Sequence, residues 1–148
     1  TPTVRNEALR SEVDKPGATA IDPEGFEDHG PFDVVLELIG APNMTANLKA
    51  LATGGRIVVI GVGAASKADT NLLAVMGKRG TIGGSTLRAR PLEQKAIAMR
   101  RVEAEVLPLF EAGALSVPVA ATFPLAEAEA AYERISAGGK LGKIVLTV

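Results

Sequence analysis

Apolar and polar positions divide the chain into short continuous apolar runs and longer stretches in which apolar residues recur with helical spacing. Residues 32–41 and 56–60 are apolar at nearly every position, which predicts two strands that are buried on both faces of a sheet. Shorter runs predict the end of a strand at residues 1–4 and further strands at residues 19–22, 81–87, 117–123 and 143–148.

Helical patterns separate these strands and are punctuated by glycine and proline. We expect helices at residues 5–15, 43–51, 70–77, 91–112 and 125–137, with stops at Pro16-Gly17, Gly54-Gly55, Gly113 and Gly138-Gly139. Pro108 should kink the longest helix. Tyr132 falls on an apolar stripe of the last helix, which predicts that it packs in the core. The alternation of strands and helices predicts an α/β fold with a doubly wound, mainly parallel sheet.

Composition narrows the classes of function. The 148 residues fit one domain, and their four Phe, one Tyr and no Trp require an aliphatic core. Without cysteine, the chain forms no disulfide and no thiolate metal site, and a single histidine makes a zinc site of its own very unfavourable. That histidine, His29, lies in an acidic loop without a partner to tune its pKa, so no catalytic role is expected. No apolar run reaches the roughly 20 residues of a membrane span, which favours a cytoplasmic protein.

Charge is unevenly distributed although the net charge is only −1. Residues 31–100 carry nine basic and four acidic side chains, whereas the segments on either side carry more acids than bases. This excess suits a small anionic ligand. It is too small, and accompanied by too few aromatic residues, to indicate a nucleic-acid partner.

A glycine-rich loop follows the second buried strand. Its sequence, Gly61-Val62-Gly63-Ala64-Ala65-Ser66, misses the dinucleotide fingerprint G-x-G-x-x-G by one residue, and no acidic residue lies about 20 positions later. The first buried strand also ends in a glycine, Gly40. Because ligands of open α/β sheets bind beyond the carboxyl ends of the strands, these glycines predict a surface that a flat cofactor approaches closely. The alternative is a flexible turn that only joins strand to helix.

Four segments resemble, in order and spacing, the C-terminal half of medium-chain dehydrogenases/reductases. They are FDVVLELIGA, GGRIVVIGVGAAS, KRGTIGGSTLRARPLEQK and FPLAEAEAAYERISAGGKLGKIVLTV. The four segments together are most similar to the zinc-independent NADPH:quinone oxidoreductases. Their most specific parts are the L-R-x-R-x-x-x-x-K element, residues 87–95, which favours this group, and the terminal G-K-I-V-L. The resemblance implies a partial Rossmann domain at residues 1–122, lacking the first strand and the phosphate-binding loop. It also implies a segment, residues 123–148, that returns to a catalytic domain absent from this sequence, as in a fragment.

The resemblance further implies a function and a set of cofactor contacts. The implied activity is NADPH-dependent hydride transfer to a quinone or an activated alkene, with no nucleic acid, membrane or metal involved and with a homodimer as one allowed assembly. The positions implied to contact NADP are Arg5, Gly40, Gly61, Val62, Gly63, Leu87, Arg88, Leu141 and Gly142, and no residue of this chain need be catalytic. Arg5 suits the 2′-phosphate of NADP, since guanidinium binds phosphate through two hydrogen bonds.

Each of these interpretations has an alternative. Arg5 can be a solvated side chain on a polar helix, and Arg88 and Arg90 can form a salt bridge to Glu93 or another acid. Zinc alcohol dehydrogenases and the enoyl-reductase domains of polyketide or fatty-acid synthases belong to the same superfamily. A nucleotide-binding module without activity is the alternative from another class.

Overall fold

The computed structural model describes residues 1–14 and 17–148, which form two compact units. One unit comprises Thr1–Ile21 together with Leu92–Val148, and the other is Asp22–Pro91. The strands are β1 Phe32–Glu37, β2 Leu51–Val59, β3 Thr81–Gly84, β4 Val119–Pro124 and β5 Lys143–Thr147. The α-helices are α1 Arg10–Asp14, α2 Met44–Ala50, α3 Leu72–Lys78, α4 Leu92–Glu105, α5 Leu107–Glu111 and α6 Ala128–Ser136. The domain boundary expected between residues 122 and 123 stays a prediction.

The unit of residues 22–91 is built on a parallel sheet with the strand order β1-β2-β3. In register, Val35 lies beside Ile57, and Ile57 lies beside Ile82. The expected α/β fold with a mainly parallel sheet is therefore confirmed. The carboxyl ends of β1 and β2 lie side by side. Parallel neighbours require crossover connections, and here α2 and α3 provide them.

The apolar core of this unit lies on one face of the sheet. Met44 and Leu48 of α2 pack with Leu51 and Ile57 of β2, and the partly buried Val35, Val59 and Val75 complete the cluster. Each fully buried aliphatic side chain stabilises the fold by about 1.5–3 kcal/mol relative to exposure. This cluster fixes α2 against the sheet.

The other face of β1 is not buried, so the expectation of strands covered on both faces is wrong for this strand. Val34 and Leu36 are 43% and 60% exposed. A run of apolar residues predicts a strand, but it does not show whether helices cover both faces of the sheet or only one. In the described part of the chain, the packed side of the sheet is the side facing α2 and α3.

Two element boundaries also differ from expectation. The strand β2 begins at Leu51, directly after α2, rather than after the glycine pair at residues 54–55. The chain extends early because the side chain of Leu51 is fully buried in the core, and the pairing register slips between Phe32–Leu51 and Val34–Arg56. The third strand ends at Gly84 rather than Leu87, since the chain then enters a turn.

The unit of residues 1–21 and 92–148 contains the second sheet, in which β4 and β5 run parallel. Near the N-terminus, Thr3 and Ile21 form one parallel bridge where two short strands were expected. The first helix begins with a 3-10 turn, Glu7–Leu9, which Asn6 caps by accepting a hydrogen bond from the backbone of Ala8. The predicted end of this helix at Lys15 and Pro16 lies outside the described residues.

Two expectations about the later helices have opposite outcomes. The predicted kink is confirmed, because α4 ends at Glu105 and α5 restarts with Pro108 in its first turn, where a missing N–H costs nothing. The expected burial of Tyr132 is wrong, because this residue is 69% exposed. Helix α6 instead buries Ala131, whose small side chain allows close packing of the helix on β4 and β5.

Candidate functional site

The carboxyl ends of β1, β2 and β3 lie along one edge of the sheet in the unit of residues 22–91. Of the positions expected to contact a cofactor, Gly40 follows β1, Gly61, Val62 and Gly63 follow β2, and Leu87 and Arg88 follow β3. Three loops therefore leave the sheet at this edge, and we call them together the carboxyl edge (residues 38–41, 60–65 and 85–90).

The first two loops of the carboxyl edge are hydrogen-bonded to each other along their length. The backbone N–H of Ala41 donates to the carbonyl of Ala65 at 2.9 Å, and the N–H of Ala64 donates to the carbonyl of Ile39 at 2.9 Å. Gly40 and Ala65 form a parallel bridge. Residues 61–65 thus continue the pairing of the two strands beyond the sheet.

Close packing between these loops explains two of the glycines. A Cβ at Gly61 would lie 2.6 Å from the carbonyl oxygen of Leu38, and a Cβ at Gly40 would collide with the carbonyl oxygen of Ala65. Gly40 also has φ of 103°, in the region that favours glycine. Gly63 differs, since a Cβ there would meet only the Leu38 oxygen at 3.9 Å. The space beside Gly63 is therefore open to a ligand.

Next to the carboxyl edge, the side chain of Glu37 forms several hydrogen bonds, and this residue was not among the positions expected from the sequence. This last residue of β1 is 3% exposed. Its Oε1 accepts hydrogen bonds from the backbone N–H groups of Ile39 at 2.5 Å and Gly40 at 2.7 Å, and from Nδ2 of Asn43 at 3.4 Å. Its Oε2 accepts from Nδ2 of Asn47 at 2.5 Å. Both carboxylate oxygens are therefore satisfied within the protein.

Opposing influences set the charge state of Glu37. Burial by itself raises the pKa of this carboxyl, because desolvation disfavours the charged form. The hydrogen bonds donated by Asn47, Gly40, Ile39 and Asn43 lower the pKa, and their combined effect prevails, so the pKa lies below its ordinary value. Glu37 is consequently a buried carboxylate ion at neutral pH.

A sequence signal for this arrangement existed. Glu37 is an acid near the end of an otherwise apolar strand, and a buried charge requires several hydrogen-bond donors. Asn43 and Asn47 follow at a spacing of four residues, so that they share one face of a helical turn. An acid at the end of an apolar strand, followed by two asparagines one helical turn apart, is therefore the sequence pattern that could have indicated this arrangement.

Apolar side chains and one arginine face solvent around these loops. Leu38, Ile60, Val62 and Leu87 are each about half exposed. Arg88 is exposed, and among the described residues it makes no hydrogen bond or ion pair. The carboxyl edge therefore offers apolar contact area together with one available cation.

Arg90, unlike Arg88, forms hydrogen bonds within its own loop. Its Nε donates to the carbonyl of Thr86 at 2.9 Å, and its Nη2 donates to Oγ of Ser85 at 2.7 Å. It therefore holds its own turn rather than forming the salt bridge to Glu93 that was the alternative expectation. The turn carries Leu87 and Arg88, so Arg90 helps to fix where they emerge.

The remaining expected positions belong to the other unit. Arg5 follows the Thr3 bridge, is exposed, and makes no hydrogen bond or ion pair within the described part of the chain. Leu141 and Gly142 directly precede β5, where the N–H of Lys143 donates to the carbonyl of Pro118 at 2.8 Å. The cofactor contacts expected at these three positions stay predictions.

A separate cavity of about 610 Å³ lies between α2 and α3. Its walls include Thr45, Lys49, Asn71 and Lys78, and they contain none of the positions expected from the sequence to bind a cofactor. Lys49 is occupied there, because its Nζ lies 2.7 Å from Asp28 and 3.6 Å from Glu27. The carboxyl edge is therefore the better candidate site.

Acidic and histidine side chains are too scattered in residues 1–14 and 17–148 to form a metal centre. These residues contain no group of three or more His, Cys, Asp or Glu side chains placed to hold a metal ion, so they do not fit a zinc site. Within the same residues, no helix has both the length and the apolar character needed to cross a membrane.

Comparison with known proteins gives relatives by sequence. A sequence profile for the family described as zinc-binding dehydrogenase matches residues 16–146. The quinone oxidoreductase of Mus musculus is 32% identical over 123 residues, which cover 82% of this chain and 35% of that protein. The acryloyl-coenzyme A reductase of Metallosphaera sedula is 31% identical over 116 residues, which cover 78% of this chain and 32% of that protein. The chain thus spans about a third of the length of these relatives.

Solved structures give the same grouping. A cobalt- and zinc-bound thermostable alcohol dehydrogenase from Pyrobaculum aerophilum matches with a TM-score of 0.78 and 25% identity, covering 99% of this chain and 42% of that one. A quinone oxidoreductase from Pseudomonas syringae matches with a TM-score of 0.75 and 20% identity, covering 99% and 48%. At the second identity the likeness shows the fold alone.

The parallel sheet, the profile match over most of the chain and the sequence relatives agree with one another. They correspond to the C-terminal half of a group of oxidoreductases that use a nicotinamide cofactor. The chain therefore belongs to the zinc-binding dehydrogenase family, within the medium-chain dehydrogenase/reductase superfamily.

Proposed function

We propose that the natural protein is an NADPH-dependent oxidoreductase that passes hydride to a quinone or an activated alkene. The observation that carries this proposal is the similarity to quinone oxidoreductases of four mammals, which are 28–32% identical over 78%, 77% or 82% of the chain. The acryloyl-coenzyme A reductase supports the wider substrate class, since an acryloyl group is an alkene activated by a carbonyl.

The residues of the carboxyl edge fit a nicotinamide cofactor. The open space beside Gly63 admits a flat ring, and the half-exposed Leu38 and Val62 provide apolar contact area next to it. Arg88 supplies a cation without a partner among the described residues, which suits an anionic ligand. When bound, the cofactor supplies the hydride, so this chain's residues need only hold and orient it.

The preference for NADPH over NADH rests on Arg5. An exposed guanidinium just beyond a parallel strand pairing is suited to a 2′-phosphate, whereas a ribose hydroxyl suits a carboxylate. Leu141 and Gly142 are proposed as further backbone contacts, on the family resemblance of the terminal motif.

Steady-state turnover of the natural full-length protein tests this function. We expect oxidation of NADPH in the presence of a benzoquinone or an enone, with NADH a poorer donor. Absence of turnover with every quinone and enone tried, together with oxidation of alcohols by NAD, would overturn the proposal.

An alcohol dehydrogenase is the second candidate, because the Pyrobaculum aerophilum structures share the fold at 25% identity. The described residues provide no zinc site. A strong chelator distinguishes the two functions, since quinone reduction without zinc should survive it and zinc-dependent alcohol oxidation should not.

We also propose that two copies of the natural protein form a homodimer through β3. In the described part of the chain this strand pairs only with β2, and all of its residues are exposed. An exposed strand edge is a template for pairing with a second chain. Ile82→Pro should convert the dimer to a monomer, because proline lacks the backbone N–H and blocks pairing at an exposed strand edge. Light scattering measures the change in mass. A protein that is monomeric from the start would contradict this proposal.

A further inference from the structure

We propose that Glu37 is a positioning residue: its carboxylate fixes the loops after β1 and β2 in the arrangement that a nicotinamide cofactor contacts. This inference rests on the function proposed above. It assigns a part to a residue that does not itself touch the cofactor, because Glu37 is 3% exposed and both of its carboxylate oxygens accept hydrogen bonds from the protein.

Glu37 is bonded to both loops at once. Its side chain accepts from the backbone N–H groups of Ile39 and Gly40 in the first loop. Its main-chain carbonyl accepts from the N–H groups of Ile60 at 2.9 Å and Gly61 at 3.1 Å, where the second loop begins. The two loops then bind each other through Ala41, Ala64 and Ala65, so a shift of one loop displaces the other.

The helix that follows the first loop is held by the same carboxylate. Oε2 binds Nδ2 of Asn47, which is 1% exposed and lies in the middle of α2. Because a buried charge is unfavourable unless its hydrogen bonds are complete, the carboxylate penalises any movement that separates it from the loop or from α2. The apolar packing of Met44 and Leu48 in the neighbouring core lacks this effect, since it contains no buried charge that must keep its hydrogen-bond donors.

Exchange of donor and acceptor between Glu37 and Asn47 provides a specific test. Asn47→Asp places a second carboxylate against Oε2 of Glu37, and two buried carboxylates repel each other. Combining it with Glu37→Gln restores one donor, one acceptor and a single negative charge, because the new amide can donate to the new carboxylate. Leu48→Ala is the matched control, since it removes core packing on the same helix without removing a hydrogen bond.

Two measurements on the natural full-length protein separate positioning from stability. Without cofactor, amide hydrogen exchange of residues 38–41 and 61–65 should speed up in Asn47→Asp and return towards the wild-type rate in the double variant. The dissociation constant for NADPH should rise by roughly tenfold in Asn47→Asp and recover to within about threefold in the double variant. Leu48→Ala should unfold more easily but keep the wild-type dissociation constant.

The results distinguish a failure of the proposed function from a failure of the positioning role of Glu37. A wild-type protein that binds no nicotinamide cofactor overturns the proposed function, and the positioning role with it. If the wild type binds NADPH but the double variant is no better than Asn47→Asp, or Leu48→Ala weakens NADPH equally, only the positioning role is overturned. If Asn47→Asp does not fold, Glu37→Gln alone replaces it, because its amide can no longer accept at the former Oε2 from Asn47. Weaker NADPH binding in Glu37→Gln than in Leu48→Ala supports the positioning role, and equal dissociation constants overturn it.

Discussion

At the scale of single residues, the buried carboxylate of Glu37 holds the loops of the carboxyl edge through hydrogen bonds. Glu37 stays ionised because four hydrogen bonds offset the effect of burial, which alone would raise its pKa. Arg88, in the third loop of the carboxyl edge, has the opposite character, since its side chain is exposed and is without a partner in the described residues. Glu37 is therefore suited to hold the loops in place, and Arg88 is available to bind a ligand.

The lowered pKa of Glu37 gives the protein a particular dependence on pH. The hydrogen-bonded carboxylate contributes its full stability above the unfolded pKa of about 4.5, and this contribution is lost as the pH falls through the lower folded pKa. Glu37→Gln should therefore lower the free energy of unfolding by about 1–3 kcal/mol near pH 7, and the difference from wild type should narrow in acid, as the pH falls through the lowered folded pKa. Urea unfolding near pH 7 and in acid measures both differences. Leu48→Ala, which removes no titratable group, should show a constant difference; equal behaviour of the two variants would refute the assignment.

Arg5 carries the choice between the two nicotinamide cofactors. A charged hydrogen bond to phosphate is worth about 1.5–3 kcal/mol, which corresponds to roughly ten- to a hundredfold in affinity. Arg5→Ala should therefore raise the KM for NADPH by about that factor and leave NADH nearly unchanged, whereas Arg100→Ala, an exposed arginine on α4, should change neither. Equal losses for both cofactors would make Arg5 a structural residue, and no loss would make it a solvated one.

At the scale of elements, the first two loops of the carboxyl edge pack so closely that a side chain larger than that of glycine does not fit between them. Gly61→Ala would bring its Cβ to 2.6 Å from the Leu38 carbonyl, a backbone atom that cannot move without shifting β1. We expect a loss of about 1–3 kcal/mol in the free energy of unfolding. Gly77→Ala provides the control, because Gly77 lies inside α3 and the Cβ of an alanine there would have nothing within 4 Å. That variant should be stabilised by about 0.5–1 kcal/mol. Thermal unfolding compares them, and a neutral Gly61→Ala would contradict this close packing of the loops.

Prediction from sequence succeeded for elements whose signal is local and repeated. The apolar runs around Val35 and Ile57 gave adjacent parallel strands, and Pro108 gave the break between α4 and α5. It failed where tertiary contacts decide. The burial of Leu51 starts β2 early, Ala131 rather than Tyr132 is buried, and the hydrogen bonds of Glu37 depend on residues up to ten positions away. At the candidate site, Gly40 and Gly61 follow the first two strands as expected, but their packing role and the hydrogen-bonded Glu37 were not visible in a periodic pattern.

Across the whole molecule, the described surface carries much apolar area. Leu72, Leu73 and Met76 of α3 and Leu92 of α4 are each more than 70% exposed. The chain spans about a third of the length of its curated relatives. Experiments on function therefore belong with the natural protein in its full length.

Binding of the nicotinamide cofactor at the carboxyl edge is open to a direct test by hydrogen exchange with and without NADPH. On addition of NADPH to the natural full-length protein, the amides of residues 38–41, 61–65 and 85–90 should exchange more slowly. The residues lining the cavity between α2 and α3, such as Thr45, Asn71 and Lys78, should be unaffected. Protection confined to that cavity, or no protection at the carboxyl edge under saturating NADPH, would show that the cofactor binds elsewhere.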